Sequence, residues 1–271
     1  MTPRRLAVLT GSCIVLLYAS AIFVGLRTHD LSTGWWGTRV RSTDWQPPHL
    51  SALPHDAFGA SVRRGAALFN ETPLYAGDHV GSKITCSNCH AAGGIQPFAS
   101  PMVGLPKLFP QYNERAGHII SLKDRIQECF VRSENGKPLD YNGDTMKAFV
   151  NYITWLSQPE PGHSAFRGRG LVKLAALTPD PQHGEQIYNT HCAGCHGNDG
   201  NGHPPVFPAV WGPNSFNDGA GMNQVPKMAA FIQHNMPQNR MGMLSAQEAY
   251  DVAAFIHNHP RPAFNTAYKH F

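Results

Sequence analysis

The stretches "CSNCH", residues 86–90, and "CAGCH", residues 192–196, decide the fold, because one five-residue pattern occurs twice in a chain of 271 residues. Two cysteines that are separated by two residues and followed by histidine form the attachment site of a c-type haem. A single copy also fits a zinc knuckle or a redox dithiol, but two copies favour two covalently bound haems, each with one iron. The predicted thioether cysteines are Cys86, Cys89, Cys192 and Cys195, and the predicted iron-binding histidines are His90 and His196.

The surroundings of the two motifs also repeat. Gly65 precedes Phe69 by four residues, and Gly184 precedes Tyr188 by four. Each glycine therefore shares a helix face with an aromatic residue and lets a second helix approach closely. Each repeat ends in a candidate for that second helix, and in the later repeat Ser245 is a plausible N-cap. The pattern predicts an all-α fold with two domains that resemble class I cytochromes c.

The chain divides into five predicted segments. Residues 1–30 form a signal anchor or signal peptide, and residues 31–55, rich in Trp and Pro, form a tether. The first cytochrome c domain covers residues 56–160, a linker covers 161–178, and the second domain covers 179–271. An insertion of the first domain, "NETPLYAGDHVGSKIT", is expected to cover part of the first haem.

The N-terminus predicts export. Arg4 and Arg5 precede an uncharged run, residues 6–26, and about 20 apolar residues cross a bilayer of ~30 Å as a helix. An uncleaved anchor that leaves the protein on the periplasmic side is favoured, and a cleaved signal peptide with a soluble periplasmic product is the alternative, because Ala19–Ala21 is a small-residue pattern. The net charge of +4 forms no dense basic stripe, so a nucleic-acid partner is not expected.

Each iron needs a ligand on its second face, and electron carriers commonly use methionine there. Met236, which precedes a proline, lies 40 residues after His196 and is the candidate in the second domain. The same offset in the first domain leads to Cys129, 39 residues after His90. A thiolate ligand would lower the potential relative to methionine. Four rival methionines remain in the second domain, namely Met222, Met228, Met241 and Met243.

Cys129 lies in a segment with helical spacing, which puts Arg125, Cys129 and Ser133 on one face. Cationic neighbours lower the pKa of a thiol, and arginines can hold a small dianion. The alternative is a buried, inert cysteine on a helix whose arginines face solvent. Other candidates for the first iron are His118, Lys123 and Lys137, whereas Met102 and Met146 lie at the wrong offset.

These motifs, with "RIQECFVRSENGKPL" at 125–139 and "NMP" at 235–237, resemble the thiosulfate dehydrogenase family over roughly residues 56–260. The resemblance implies a His90/Cys129 haem at the active site and a His196/Met236 haem for electron transfer. It assigns Arg115, Arg125 and Ser133, with Cys129, to the substrate site. Some family members have lysine before that methionine, whereas this chain has Asn235, so ligand exchange that depends on the lysine is not implied.

The resemblance implies an enzyme that couples two thiosulfates into tetrathionate, in a reaction that can be reversible. The electrons would pass from the first haem to the second and on to a small cytochrome c or a high-potential iron–sulfur protein. Two alternatives are a non-catalytic dihaem electron carrier of a respiratory chain and a cytochrome of the sulfur-oxidising multienzyme system. A dihaem peroxidase fits less well, because no separate segment indicates activation machinery.

Overall fold

The computed structural model describes residues 48–158 and 166–271. The predicted anchor, residues 1–30, and most of the predicted tether lie outside the described residues. Within the described ranges, no helix is both long enough and apolar enough to cross a membrane.

The described part is mostly helical, and each haem motif lies in sequence between the first and last α-helices of its own domain. The first domain contains α1 Ala57–Asn70, α2 Thr72–Tyr75, α3 Cys86–Cys89, α4 Ala91–Gly94, β1 Gln111–Asn113, β2 His118–Ile120, α5 Leu122–Arg132 and α6 Asp144–Leu156. The second contains α7 Pro181–His191, α8 Ala193–His196, α9 Val225–Asn235 and α10 Ala246–His257. Short 3-10 turns lie at Leu50–Ala52, Gly77–His79, Leu105–Lys107, Gly221–Asn223, Gln238–Arg240 and Thr266–Tyr268.

The first and last α-helices of each domain pack against each other, α1 on α6 and α7 on α10. A Cβ atom at Gly65 would collide with the Ala148 carbonyl, and one at Gly184 would collide with the Asp251 carbonyl. The predicted close approach of a second helix to each glycine is therefore confirmed. The predicted cap is confirmed as well, because the Ser245 hydroxyl accepts from the Glu248 amide at the start of α10.

Gly65→Ala should destabilise the protein, because its methyl group would overlap backbone that cannot move aside without separating α1 from α6. We expect a loss of about 1–3 kcal/mol in the free energy of unfolding. The measurement is thermal or urea unfolding of the haem-loaded protein. Gly77→Ala is the matched control, since a Cβ at Gly77 meets nothing within 4 Å. Equal stability of the two variants would contradict the packing argument.

A two-stranded antiparallel hairpin departs from the predicted all-α architecture. β1 pairs with β2 in the register Gln111 to Ile120. The Asn113 side chain accepts from the backbone amides of Arg115 and Ala116 at 2.9 and 3.2 Å, and Gly117 takes a positive φ of 72°. The asparagine and the glycine therefore shape the turn that carries Arg115.

The two domains share an interface. Asn217 of the second domain donates to the Val131 carbonyl at 2.9 Å, and the backbone amide of Lys83 donates to the Asn214 carbonyl at 3.1 Å. Ile84 packs in the core of the second domain. The insertion of the first domain therefore reaches across to the second, in addition to the role predicted for it at the first haem.

Candidate active site and haem centres

Both motif histidines have the hydrogen bonds that an iron-binding imidazole needs. Nδ1 of His90 lies 2.6 Å from the Ser100 carbonyl, and Nδ1 of His196 lies 2.9 Å from the Pro208 carbonyl. Each Nδ1 can donate its proton to that carbonyl, which leaves Nε2 with a free lone pair for a metal. Burial lowers the pKa of His90 to about 4 and also lowers the pKa of His196, which favours the neutral ring in both. These donors fit haem iron.

A cavity of about 1320 Å³ adjoins the second motif. Its lining includes Cys192, Cys195, His196 and Met236, the donors predicted for the second haem. Three of the rival methionines also line it, whereas Met243 does not. Residues of the first domain, among them Asn88 and Cys89, complete the wall. The site predicted for the second haem therefore borders the first haem motif directly.

Cys129 faces the first motif from α5. Cys86, Cys89 and Cys129 lie within electrostatic range of one another, and the buried Glu134 acts on all three. Burial raises the pKa of Cys129, and Arg125 lowers it by less. The sequence led us to expect that the arginines lower the pKa of this thiol. In the protein without a bound metal, burial outweighs them and the pKa is raised. A metal-bound thiol is deprotonated outright, so iron would supply the missing charge.

The two predicted substrate arginines meet at a carboxylate that sequence reasoning missed. Glu128 is buried, and its side chain accepts from Arg125 Nη1 at 2.8 Å and from Asn113 Nδ2 at 3.0 Å. Nη1 of Arg115 lies 4.0 Å from the other carboxylate oxygen. Glu128 therefore joins the hairpin turn to α5 and holds both guanidinium groups near Cys129. The three-residue spacing of Arg125 and Glu128 along a helix was the sequence signal that could have indicated this ion pair.

A second missed residue comes from the other domain. Burial lowers the pKa of Lys227 near the start of α9, and the charges of Arg115 and Arg125 lower it further. Lys227 is largely exposed and close enough to both arginines to feel their charge. Its sequence position gave no signal, because only the packing of the two domains brings it near Arg115 and Arg125. Lys227 of the second domain therefore lies within electrostatic range of two cations of the first domain.

Ser133 and Arg132 have different surroundings. Ser133 is the C-cap of α5, half-buried, and its amide donates to the Cys129 carbonyl, so it stays one turn from the thiol as the spacing predicts. Arg132 points elsewhere, because its Nη2 donates to the Phe271 oxygen at 3.0 Å and its guanidinium lies 4.1 Å from the Phe264 ring centroid. Arg132 is therefore a domain-interface residue, although it lies within electrostatic range of Arg115, Arg125 and Glu128.

Two of the alternative ligands for the first iron have other contacts. The ring of the exposed His118 lies 2.9 Å from the Ala116 carbonyl, and Lys123 donates to Asn142 at 3.3 Å. Lys137 is exposed. Met146 and Met102 are buried in the apolar core of the first domain. Cys129 remains the candidate that combines the predicted offset with a place beside Cys86 and Cys89.

Comparisons with known proteins divide the chain in the same way. Residues 68–161 match the family described as "SoxA/TsdA, cytochrome c domain". Residues 179–256 match the family described as "Cytochrome C oxidase, cbb3-type, subunit III". The chain therefore contains two cytochrome c domains and, with its two attachment motifs, two sites for covalent haem.

Similar proteins extend over most of the chain. The thiosulfate dehydrogenase of Psychrobacter arcticus is 41% identical and covers 79% of this chain, which spans 68% of that protein. The thiosulfate dehydrogenase of Allochromatium vinosum is 40% identical, with 80% of this chain and 84% of that protein covered. The solved thiosulfate dehydrogenase (TsdBA) from Marichromatium purpuratum superposes with a TM-score of 0.75 at 39% identity; it covers 80% of this chain, which spans half of that solved chain. This chain belongs to the thiosulfate dehydrogenase family.

Proposed function

We propose that this protein oxidises two thiosulfate ions to one tetrathionate ion at the site around Cys129. The observation that carries the proposal is a half-buried thiol beside a haem motif, within electrostatic range of Arg125 and Arg115, which in turn lie within range of Lys227. Joining two thiosulfates releases two electrons. When bound, each haem accepts one electron, so two haems can accept both electrons released per tetrathionate.

The Cys129 sulfur is proposed to carry one half of the product. Its thiolate and one thiosulfate form a sulfur–sulfur bond with loss of two electrons, which leaves a cysteine S-thiosulfonate. A second thiosulfate then attacks the sulfur bonded to Cys129, forms the central bond of tetrathionate and returns the thiolate. Charge and atoms balance in both steps. The residues that would hold the haem at this site are Cys86, Cys89 and His90, with Cys129 as the proposed second iron ligand.

The cations are proposed to overcome the repulsion between two dianions. Arg125 and Arg115 present planar donors to the oxygens of thiosulfate, and Lys227 adds a point charge from the second domain. Ser133 adds a hydroxyl one turn after Cys129. Placing two like-charged reactants together before the reaction lowers the barrier through positioning and charge compensation.

The test is an assay of the purified, haem-loaded protein with thiosulfate and ferricyanide. We expect two thiosulfates to be consumed for each tetrathionate formed, with no carrier protein added. A requirement for a carrier thiol would instead favour a cytochrome of the sulfur-oxidising system. Absence of any thiosulfate-dependent reduction would favour a non-catalytic electron carrier.

The physiological setting follows from the same proposal. The acceptor would be a small cytochrome c or a high-potential iron–sulfur protein that meets the second haem site, at which Met236 is proposed as the second iron ligand. The same site could also catalyse the reverse reaction, the reduction of tetrathionate to thiosulfate, if the haem potentials favoured it. Covalent haem attachment and the N-terminal apolar run support a periplasmic location, with residues 6–26 as the proposed anchor.

Lys227→Gln should weaken thiosulfate binding. Because Lys227 attracts a dianion equally before and during the reaction, we expect KM for thiosulfate to rise about three- to tenfold and kcat to change less than about twofold. The measurement is steady-state kinetics at low ionic strength, where the charge effect is largest. Lys147→Gln is the charge-matched control, because Lys147 pairs with Asp144 on α6. An unchanged KM in Lys227→Gln would remove this residue from the site.

A further inference from the structure

The loop at residues 96–102 holds the imidazole of His90. The Ser100 carbonyl of this loop lies 2.6 Å from His90 Nδ1. Its backbone is unusual, because Phe98 and Ser100 have φ values of 59° and 48° although neither is glycine. Such residues leave the left-handed region unless their surroundings hold them there. The position of the Ser100 carbonyl therefore depends on whatever restrains this loop.

Two other parts of the chain restrain the loop. The linker does so through its backbone, since the Gly168 and Gly170 carbonyls accept from the amides of Phe98 and Ser100 at 2.6 and 2.9 Å. The second domain does so through Asn235, whose Nδ2 donates to the Phe98 carbonyl at 3.1 Å. The Phe98 ring also packs edge-on against the His234 ring at 4.8 Å between centroids.

Asn235 contacts the loop that holds His90 and also lies beside the second haem motif. It is 2% exposed, and the same Nδ2 also donates to the Phe231 carbonyl at 3.1 Å within α9, which fixes the rotamer. It directly precedes Met236 and lines the cavity of the second motif. Gln96, at the start of the loop, is buried and lines the same cavity. The loop and Asn235 therefore connect the two motifs through a direct hydrogen bond and a shared cavity wall.

We propose that Asn235 is a positioning residue for the haem of the other domain. By holding the Phe98 carbonyl, Asn235 keeps the loop in the conformation that aims the Ser100 carbonyl at His90. A hydrogen bond at Nδ1 fixes the orientation of a histidine ligand and raises its basicity, and thereby affects the redox equilibrium of the metal. The second domain thus affects the redox equilibrium of the haem in the first domain. This proposal rests on haem attachment at His90 and is independent of thiosulfate chemistry.

The experiment measures the reduction equilibrium of each haem in Asn235→Leu, which keeps a similar volume and loses the donor. Cys195→Ser serves as the common background, because one missing thioether shifts the absorption of the second haem and separates the two spectra. In a redox titration followed by absorption, we expect the reduction equilibrium constant of the first haem to change about threefold or more. Asn258→Leu is the matched control, since Asn258 is exposed in the second domain.

Asn235→Ala is measured in parallel, so that a folding defect of the larger replacement does not decide the outcome. Both variants must bind two haems and should show the same direction of change at the first haem. The proposal is overturned if the first haem titrates as in the background, whether or not the second haem changes. It is equally overturned if Asn258→Leu shifts the first haem as much as Asn235→Leu does.

Discussion

Cys129→Gly is expected to leave both haems attached and to lower thiosulfate-dependent ferricyanide reduction by about a thousandfold or more. Attachment depends on the motif cysteines, and Cys129 lies 39 residues beyond His90, so its loss removes no thioether. The variant loses the sulfur that is proposed both to bind iron and to carry the S-thiosulfonate. The measurement combines a haem stain, the optical spectrum and steady-state turnover.

Cys129→Met separates the two roles of the sulfur. A thioether can bind the iron but cannot form the S-thiosulfonate, so we expect a ligated first haem with turnover as low as in Cys129→Gly. Turnover near that of the natural protein in Cys129→Met would restrict the sulfur to a ligand role. Substantial turnover in Cys129→Gly with both haems present would contradict the proposed mechanism altogether.

Arg125→Gln is expected to lower kcat/KM for thiosulfate about a hundredfold, because the guanidinium closest to Glu128 also faces the thiol. The variant should also lose about 2 kcal/mol of stability, since the buried Glu128 carboxylate loses its 2.8 Å partner. The measurements are steady-state kinetics and unfolding of the haem-loaded protein. Arg125→Lys should recover part of the activity, because it keeps the charge without the planar pair of donors.

The double variant Arg125→Gln/Glu128→Gln distinguishes the two effects. Removing the carboxylate charge together with its partner should restore most of the stability while kcat/KM stays low. Lys147→Gln again provides a control for the loss of one positive charge. If the double variant regained turnover along with stability, Arg125 would act through folding, and its proposed contact with thiosulfate would be wrong.

The sequence was most informative where chemistry dictates spacing. The C-x-x-C-H motifs predicted both haem sites, and Gly65 and Gly184 predicted the helix crossings, since no other residue fits against those carbonyls. The offset from His90 led to Cys129, and the structure brings that thiol into range of Cys86 and Cys89. Ligation by Cys129 and Met236, and the substrate roles of the arginines, stay predictions.

The features that sequence reasoning missed depend on contacts between distant segments. The hairpin that carries Arg115 has strands of only three residues, too short to show an alternating pattern. Glu128 was visible as a neighbour of Cys129, but its burial against the hairpin was not. Lys227 joins the site only because the second domain packs there. The pKa of Cys129 depends on burial, which outweighs the arginines that the sequence displays.

The contacts of the linker limit where the chain can be truncated to isolate the first domain. Gly168 and Gly170 hydrogen-bond to the loop beneath His90, and Leu171 forms a bridge with Ala99. A fragment that ends at residue 160 would therefore lack backbone that its own haem site uses, although every motif residue would be present. In modular terms, linker residues 168–171 belong to the first domain, and an autonomous first module would have to extend at least through residue 171.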